Sequence, residues 1–380
     1  MKKLLCMLLA ALMVLTMASF AMAEEADSYK IAILTGTTSQ GEEEVTAATK
    51  LVETYGAEKV LHDTYPDNFS SEVETTISKL IAFASDPDVK AIIFVQGVQG
   101  AVSAFTQIKD SLGRDDILLI AGVPAEDPAD ISAAADIVLA VDEIGCGYQV
   151  ADKAAEWGCD VIVHYSFARH LSYETIVAKR DAMKMTAEGY GIEFVERDCP
   201  DPTGDAGMSG AQAAVLEDVP KVMQEYAGKK VCFYCTNCGI QVALQQAVLA
   251  AGDDAYYALP CCPSPFHGYQ EAFGLDATYG DIEGAITNLD NFLNESGAAG
   301  RFSTWAIPVN MSMINASYEY ACAYAEGKIE KVDEAFLTEC FSEAAGIEAI
   351  LGKYTNANGE ELANYYLIQF SPIDFNDYIG

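Results

Sequence analysis

Cysteines are concentrated in one part of this chain, where their spacing could support metal or redox chemistry. Cys232, Cys235 and Cys238 are each separated by two residues, and a Cys261-Cys262 pair followed by proline comes later. Iron–sulfur proteins use C-x2-C-x2-C runs with a remote fourth cysteine. Cys232 and Cys235 would, however, point to opposite faces of an extended strand, because they differ by an odd number of positions. Three alternatives stay open: an iron–sulfur cluster, a disulfide that involves the 261/262 pair, and free thiols that are buried or lie at a strand tip. We expect the free thiols.

A second concentration of polar and aromatic side chains lies at residues 164–170, which read HYSFARH. His164, Tyr165 and Arg169 could contact a ligand here, because the planar guanidinium fits a carboxylate or phosphate. The alternative is that Arg169 and His170 cap the next helix or pair with local acidic residues. His267, beside the cysteine–proline segment, is a further ligand candidate.

Motifs typical of catalysis are missing from the sequence, which contains no G-x-S-x-G, P-loop or G-x-G-x-x-G. The four histidines do not combine with other residues into a convincing nucleophile, base and orienting set. We therefore expect a protein that performs no catalysis and uses no cofactor or bound metal. The alternative is a secreted enzyme, or a redox or metal protein, that uses the cysteine-rich strand tips of the second half of the chain.

The elements that must position these residues alternate between strand and helix. Apolar runs such as 30–34, 91–95 and 231–234 each end in a polar tip and are followed by a helical pattern. This alternation predicts a parallel sheet with helices on both faces, and right-handed crossovers place the polar tips along one edge. The pattern restarts after Gly158, so we expect an α/β fold of two doubly wound parallel-sheet lobes joined by a hinge.

The pattern also predicts where the lobes begin and end. We expect a first lobe at 24–145, with a return segment at about 281–310, and a second lobe at 146–280. Residues 311–380 would hold a hinge-return helix and a C-terminal extension without a strong motif.

The first 23 residues are typical of an export signal. Lys2 and Lys3 precede an apolar run, and Ala21-Met22-Ala23 forms an A-x-A cleavage site. Cys6 lies too early in that run to be a lipobox cysteine, so we expect a cleaved signal without a lipid anchor and a periplasmic or extracellular protein. The chain carries 57 acidic and 22 basic residues, a net charge of −35, which makes nucleic acid a poor partner.

Two segments carry a resemblance to a known superfamily. Residues 235–252, CTNCGIQVALQQAVLAAG, resemble the strand-to-helix junction of the type I periplasmic-binding-protein superfamily, with Cys238 where those proteins usually have aspartate. Residues 142–160, DEIGCGYQVADKAAEWGCD, resemble its crossover strand and helix. The HYSFARHLSYE stretch resembles, more narrowly, a group of uncharacterised secreted bacterial proteins.

The resemblance implies two lobes that close on a small polar ligand by hinge motion and do so as a monomer. The partner would be an ABC-type permease or a membrane sensor. By position, the resemblance assigns ligand contacts to residues at facing strand tips. These are Thr37, Thr38, Gln96, Glu126 and Asp142 on the first lobe, and His164, Arg169 and Asn237 on the second. Glu126 and Asp142 would bind amines or sugar hydroxyls, whereas Arg169 would bind an anion.

Overall fold

A computed structural model describes residues 29–276, 280–356 and 358–375. The segment 1–23, expected to be an export signal, lies outside these residues. The strands are β1 (Lys30–Thr35), β2 (Val60–Thr64), β3 (Val89–Val95), β4 (Leu118–Gly122), β5 (Ile137–Val141), β6 (Val161–Ser166), β7 (Glu193–Asp198), β8 (Val231–Cys235), β9 (Ala255–Tyr257), β10 (Ser303–Trp305), β11 (Ala349–Thr355), β12 (Glu361–Phe370) and β13 (Pro372–Asp374). The α-helices are α1 (Thr38–Tyr55), α2 (Val73–Ala84), α3 (Ala101–Asp110), α4 (Pro128–Ala134), α5 (Glu143–Glu156), α6 (Glu174–Gly189), α7 (Gly207–Glu225), α8 (Cys238–Ala251), α9 (Tyr269–Phe273), α10 (Ile282–Glu295), α11 (Val309–Ala325) and α12 (Glu334–Ala345).

The sheet of the first lobe has the order β11-β12-β5-β4-β3-β1-β2. Its strands are parallel except for β11, which pairs with β12 in the antiparallel sense. Alternate residues of β1 supply the two faces: Ile31 and Ile33 pack under α1, α11 and α12, whereas Ala32 and Leu34 pack under α2, α3 and α4. Burial on both faces explains why these strands are continuous apolar runs.

A second parallel sheet, with the order β7-β6-β8-β9, forms the second lobe. Helices α5 and α6 cover one face, and α7, α8 and α10 cover the other. Helix α10 lies in the segment that we expected to return to the first lobe, yet its Ile286, Leu289 and Leu293 belong to the core of the second. The return begins instead with α11, whose Met313, Ile314 and Tyr318 pack in the first lobe.

The chain passes between the lobes three times within the described residues. The passages lead from β5 to α5, from β10 to α11, and from β12 to β13, which pairs with β10. Two hydrogen bonds tie the first and third passages together: Asp142 N donates to Ile368 O at 3.0 Å, and Gln149 Nε2 donates to Phe370 O at 2.6 Å. Lys153 and Asp374 add an ion pair at 3.1 Å. The hinge is therefore built from well separated parts of the sequence.

The C-terminal extension, for which the sequence offered no strong motif, completes the first lobe. Strand β12 lies between β11 and β5, and its Tyr366, Ile368 and Phe370 are fully buried in the core. None of the helices in the described ranges is both long and apolar enough to span a bilayer.

Candidate functional site

Glu44, on α1, is the centre of a polar cluster at the carboxyl edge of the first sheet. Its side chain is 1% exposed, and its Oε1 accepts hydrogen bonds from Gln96 Nε2 at 2.7 Å and Asn310 Nδ2 at 2.6 Å. Gln96 follows β3, and Asn310 lies in the first turn of α11, directly after the second passage between the lobes. The sequence predicted Gln96 as a site residue but missed Glu44 and Asn310, since an acidic helix start is also common on solvated surfaces.

The backbone at this edge is held in an uncommon conformation. Gln96 has φ +55° and Val123, after β4, has φ +47°. Side-chain-bearing residues rarely adopt positive φ, and a β-branched one is an outlier. Such strain costs about 1–3 kcal/mol and occurs preferentially at ligand sites. The two positions mark the carboxyl ends of adjacent strands, where an open α/β sheet binds its ligand.

The loop after β9 reaches the first lobe beside this cluster. Ser264 Oγ donates to Glu43 Oε1 at 2.6 Å, and Val309 N donates to Pro263 O at 3.0 Å. Phe266 of the same loop packs in the first-lobe core. Burial raises the pKa of Glu43 to about 7, with the Ser264 hydrogen bond acting in the opposite direction. A protonatable carboxyl therefore lies at the contact between the lobes.

Thr37 and Thr38 occupy the tip after β1, as the sequence predicted. Thr37 Oγ1 donates to Asp67 Oδ1, and Ser39 Oγ donates to the same oxygen at 2.7 Å. These two hydrogen bonds lower the pKa of Asp67. Thr38 is exposed and begins α1. Asp67 is a further acceptor at this edge, which sequence reasoning did not identify.

Glu126 and Asp142 cap helices. The Glu126 carboxylate accepts from Gly100 N at 3.2 Å and Val102 N at 2.8 Å, at the start of α3. Asp142 Oδ1 accepts from Gly145 N at 2.7 Å, at the start of α5. Free N–H groups and the helix dipole favour a carboxylate in both places. These two carboxylates, which we expected to accept hydrogen bonds from a ligand, thus already accept hydrogen bonds from backbone N–H groups.

His164 and Tyr165 do not lie at a strand tip, because β6 continues to Ser166. The His164 ring is 1% exposed and lies between Phe194 and Tyr234, with ring centroids 5.7 and 6.1 Å away. Burial lowers the pKa of His164 to about 3. The Tyr165 ring points into the opposite core, and its hydroxyl donates to Asp218 at 2.9 Å. This corrects the expectation that either side chain faces the cleft.

His170 and Asn237, both half-buried, lie together at this tip. Asn237 Oδ1 accepts from Gly239 N at 2.9 Å and caps α8, so its Nδ2 is directed to His170 Nε2, at 3.1 Å. Nδ1 of the same ring lies 3.3 Å from Thr236 Oγ1. The prediction that Asn237 lies where a strand meets a helix is confirmed. His170 was singled out only as a possible cap, and it proves to be the histidine of the tip.

Arg169 pairs with a local acidic residue, which was the alternative to ligand binding. Its Nε and Nη2 bind the two carboxylate oxygens of Asp201 at 2.6 and 3.0 Å. Nη1 donates to the Tyr173 hydroxyl at 3.5 Å. The Nε–Nη2 edge of the guanidinium, which an anion would bind, is therefore already occupied by Asp201.

The cysteines divide into buried thiols and a group at the second-lobe edge. Cys232 and Cys235 are fully buried in different cores, so the prediction that they face opposite sides of the strand is confirmed. Cys238, the first residue of α8, forms a disulfide with Cys262. The expectation of free thiols throughout is therefore wrong at these two positions. Cys261 remains a free thiol beside the disulfide.

His267 follows this group in the same loop and is exposed. Its carbonyl oxygen accepts from Gln241 Nε2 at 3.1 Å, while Gln241 Oε1 accepts from Cys261 N at 2.6 Å. Two surface hollows of about 530 and 440 Å³ lie elsewhere, on the first lobe. They are lined mainly by residues of the α2–β3 and α3–β4 connections and by residues of α1 and β2, respectively.

Comparison with solved structures establishes the fold. A crystal structure of a proposed transcriptional regulator from Clostridium difficile 630 is similar with a TM-score of 0.83 and 20% identity, over 92% of this chain and 99% of that one. A sugar-binding protein of a sugar ABC transporter from Bacillus halodurans is similar with a TM-score of 0.50 and 12% identity, over 92% and 99% of the two chains. The chain thus shares its two-lobed α/β fold with these two proteins, as the resemblance in its sequence implied.

Sequence comparison gives the family. An uncharacterized protein of Treponema pallidum (strain Nichols) is 37% identical over 184 residues, which are 47% of this chain and 82% of the relative. The family described as "Protein of unknown function (DUF3798)" matches residues 29–303. This match covers β1 to β9 and includes Glu44 and Gln96, whereas Asn310, β11 and β12 follow it. The chain belongs to that family.

Proposed function

We propose that this chain is an exported, monomeric solute-binding protein that captures a small polar ligand between its lobes for an ABC-type permease or a membrane sensor. The observation that carries the proposal is the Glu44–Gln96–Asn310 cluster. It combines a buried carboxylate, a strained backbone and the start of α11, the helix that follows a passage between the lobes, at the carboxyl edge of a parallel sheet. The sugar-binding protein with the same fold supports it. The proposed role includes no catalytic step.

The chemistry of the edges narrows the class of ligand. Glu43, Glu44 and Asp67 supply acceptors on the first lobe, while the one arginine assigned to an anion is engaged by Asp201. The chain as a whole carries a net charge of −35. Hydroxyl-rich neutral solutes and amines match these groups, because they donate hydrogen bonds to carboxylates, whereas an anion would be repelled.

A thermal-shift panel on the mature chain tests the proposal. Sugars, nucleosides, amino acids and polyamines are each added in excess, and mass spectrometry under native conditions identifies any molecule that co-purifies. A true ligand at a hundredfold its dissociation constant stabilises the folded chain by about 2.7 kcal/mol. We expect Gln96→Ala to abolish the shift given by that ligand.

Gln107→Ala is the matched control, because Gln107 is an exposed glutamine of α3 whose side chain hydrogen-bonds only to Ser103 within the described residues. It should bind as the wild type does. A panel without any shift, together with no co-purifying molecule, contradicts solute binding.

A further inference from the structure

Three sulfur atoms lie together at the carboxyl edge of the second sheet. Cys261 Sγ is 3.4 Å from Cys238 Sγ and 4.0 Å from Cys262 Sγ, and all three lie within 4.8 Å of one another. Thiolates bound to one tetrahedral zinc ion, at about 2.3 Å each, are separated by about 3.8 Å. The two distances from Cys261 therefore match a single metal coordination sphere.

The backbone around the three sulfurs also suits a metal ion. The Cα atoms of Cys238 and Cys262 are 7.0 Å apart, at the outer limit for a disulfide, whose Cα atoms usually lie about 4.4–6.8 Å apart. Two thiolates that share an ion accommodate this wider spacing. Cys238 also begins α8, where the helix N-terminus favours a thiolate over a thiol.

Solvent can reach the three sulfurs, and neighbouring residues hold the loop that carries two of them. Cys238 is exposed, and Cys261 and Cys262 are half-buried, so an ion can reach them from solvent. Gln241, 1% exposed, holds the Cys261 backbone N–H at 2.6 Å and fixes the loop that carries two of the three sulfurs. Buried Cys235 lies beside Cys261 as a neighbouring sulfur.

We propose that Cys238, Cys261 and Cys262, once the Cys238–Cys262 disulfide is reduced, bind one thiophilic divalent cation of the zinc class. A dithiol reductant transfers two electrons and two protons to the disulfide, giving two thiols and the oxidised dithiol. The cation then displaces one proton from each of the three thiols. Calcium and magnesium are excluded because they require oxygen ligands. This site is separate from solute binding and does not depend on it.

Three protein ligands leave one coordination position of a tetrahedral ion open. In zinc proteins such a position holds water or a ligand atom, whereas closed structural sites use four protein ligands. Because Cys238 is exposed, water or a ligand can reach an ion held by these three sulfurs.

Cobalt titration tests the site. The mature chain is reduced with dithiothreitol without oxygen, desalted, and titrated with Co²⁺ alone while thiolate-to-cobalt absorption is followed. We expect one ion per chain, displaced by Zn²⁺, and no such binding by the disulfide form. Cys261→Ser should weaken binding by at least about tenfold, since even loss of a group that only supports a metal ligand costs about 10–100-fold.

Cys322→Ser is the control, because Cys322 is a half-buried free thiol of α11 in the first lobe. It should bind cobalt as the wild type does. Equal binding by Cys261→Ser and wild type, or no binding by the reduced wild type at micromolar Co²⁺, overturns the inference.

A second measurement does not depend on any variant folding. Zn²⁺ should protect Cys238, Cys261 and Cys262 of the reduced wild type from alkylation by iodoacetamide, as mapped by peptide mass spectrometry, and should leave Cys322 unprotected. Protection of other cysteines, with these three still labelled, contradicts the proposal.

Discussion

At the residue scale, two histidines of the same segment have opposite surroundings. His164 is enclosed by aromatic rings in the core, whereas His170 lies at the tip and contacts Asn237. The sequence around them does not show which histidine is buried and which lies at the tip, because this depends on where β6 ends. A strand that continues to Ser166 buries His164. The sequence therefore predicted a polar tip after β6 but not where that tip begins, and so not which histidine it presents.

The buried His164 should make the protein sensitive to acid. Its pKa is lowered from 6.5 to about 3 by burial, so the unfolded chain binds a proton that the folded chain does not. The stability that depends on the neutral ring is fully present above pH 6.5 and is lost as the pH falls toward 3. We expect His164→Phe, which keeps an aromatic ring in place, to reduce this loss in denaturant unfolding between pH 3 and 7.

His164→Phe should also raise the free energy of unfolding at pH 7 by about 1–3 kcal/mol, because both ring nitrogens of His164 lack a hydrogen-bond partner within the described residues. Burial lowers the pKa of His267 by less than that of His164, so His267→Phe should retain most of the acid dependence of the wild type. An unchanged acid dependence in His164→Phe contradicts the interpretation.

At the scale of elements, the strands and their polar tips were predictable, whereas the contribution of the last residues was not. The continuous apolar pattern of a buried strand and helix is seen in Val231–Cys235 and Cys238–Ala251. Asn237 lies between the two elements, as predicted. Strand β12 reads ELANYYLIQF, with tyrosine and polar residues among the apolar ones. Its position depends on pairing with distant β5, and no local pattern reports such pairing.

Two isoleucines on paired strands allow the role of β12 to be measured. Ile368 of β12 is 1% exposed, whereas Ile350 of β11 is 52% exposed. We expect Ile368→Ala to lower the free energy of unfolding by about 2–5 kcal/mol, because it leaves a cavity in the core. Ile350→Ala, the matched control, should cost less than about 1 kcal/mol. Similar losses in urea denaturation would mean that β12 is not a core strand.

At the scale of the whole molecule, the lobes are connected by side chains as well as by the three chain passages. The Glu43–Ser264 hydrogen bond links α1 of the first lobe to the loop after β9 of the second. Sequence patterns within one lobe cannot report this contact, because it forms only when the lobes are placed together. In the sequence, Glu43 is one of several acidic residues near the start of a helix, so its contact with the second lobe could not be predicted.

The Glu43 contact should make stability fall as the pH rises. Burial raises the pKa of Glu43 from 4.5 to about 7, so the folded chain binds one more proton than the unfolded chain between these values. The stabilisation is fully present below pH 4.5 and is lost as the pH rises to about 7. We expect Glu43→Gln to remove this dependence, which amounts to no more than about 3 kcal/mol.

Denaturant unfolding between pH 4.5 and 8 measures the effect. Glu42→Gln changes an exposed neighbour on the same helix and should follow the wild-type curve. If Glu43→Gln follows that curve too, the carboxyl does not titrate at the contact between the lobes.

The position of β12 between β5 and β11 has a consequence for the order in which the molecule can be made. A nascent chain leaves the side of β5 unpaired until residues near 370 have emerged from the ribosome, and unpaired strand edges invite association with other chains. Neither lobe exists as one uninterrupted stretch of polypeptide, so native folding waits until the residues near 370 have been made. Such a delay would favour the export that we propose for this chain, because a protein that has not yet folded can pass through a translocation channel.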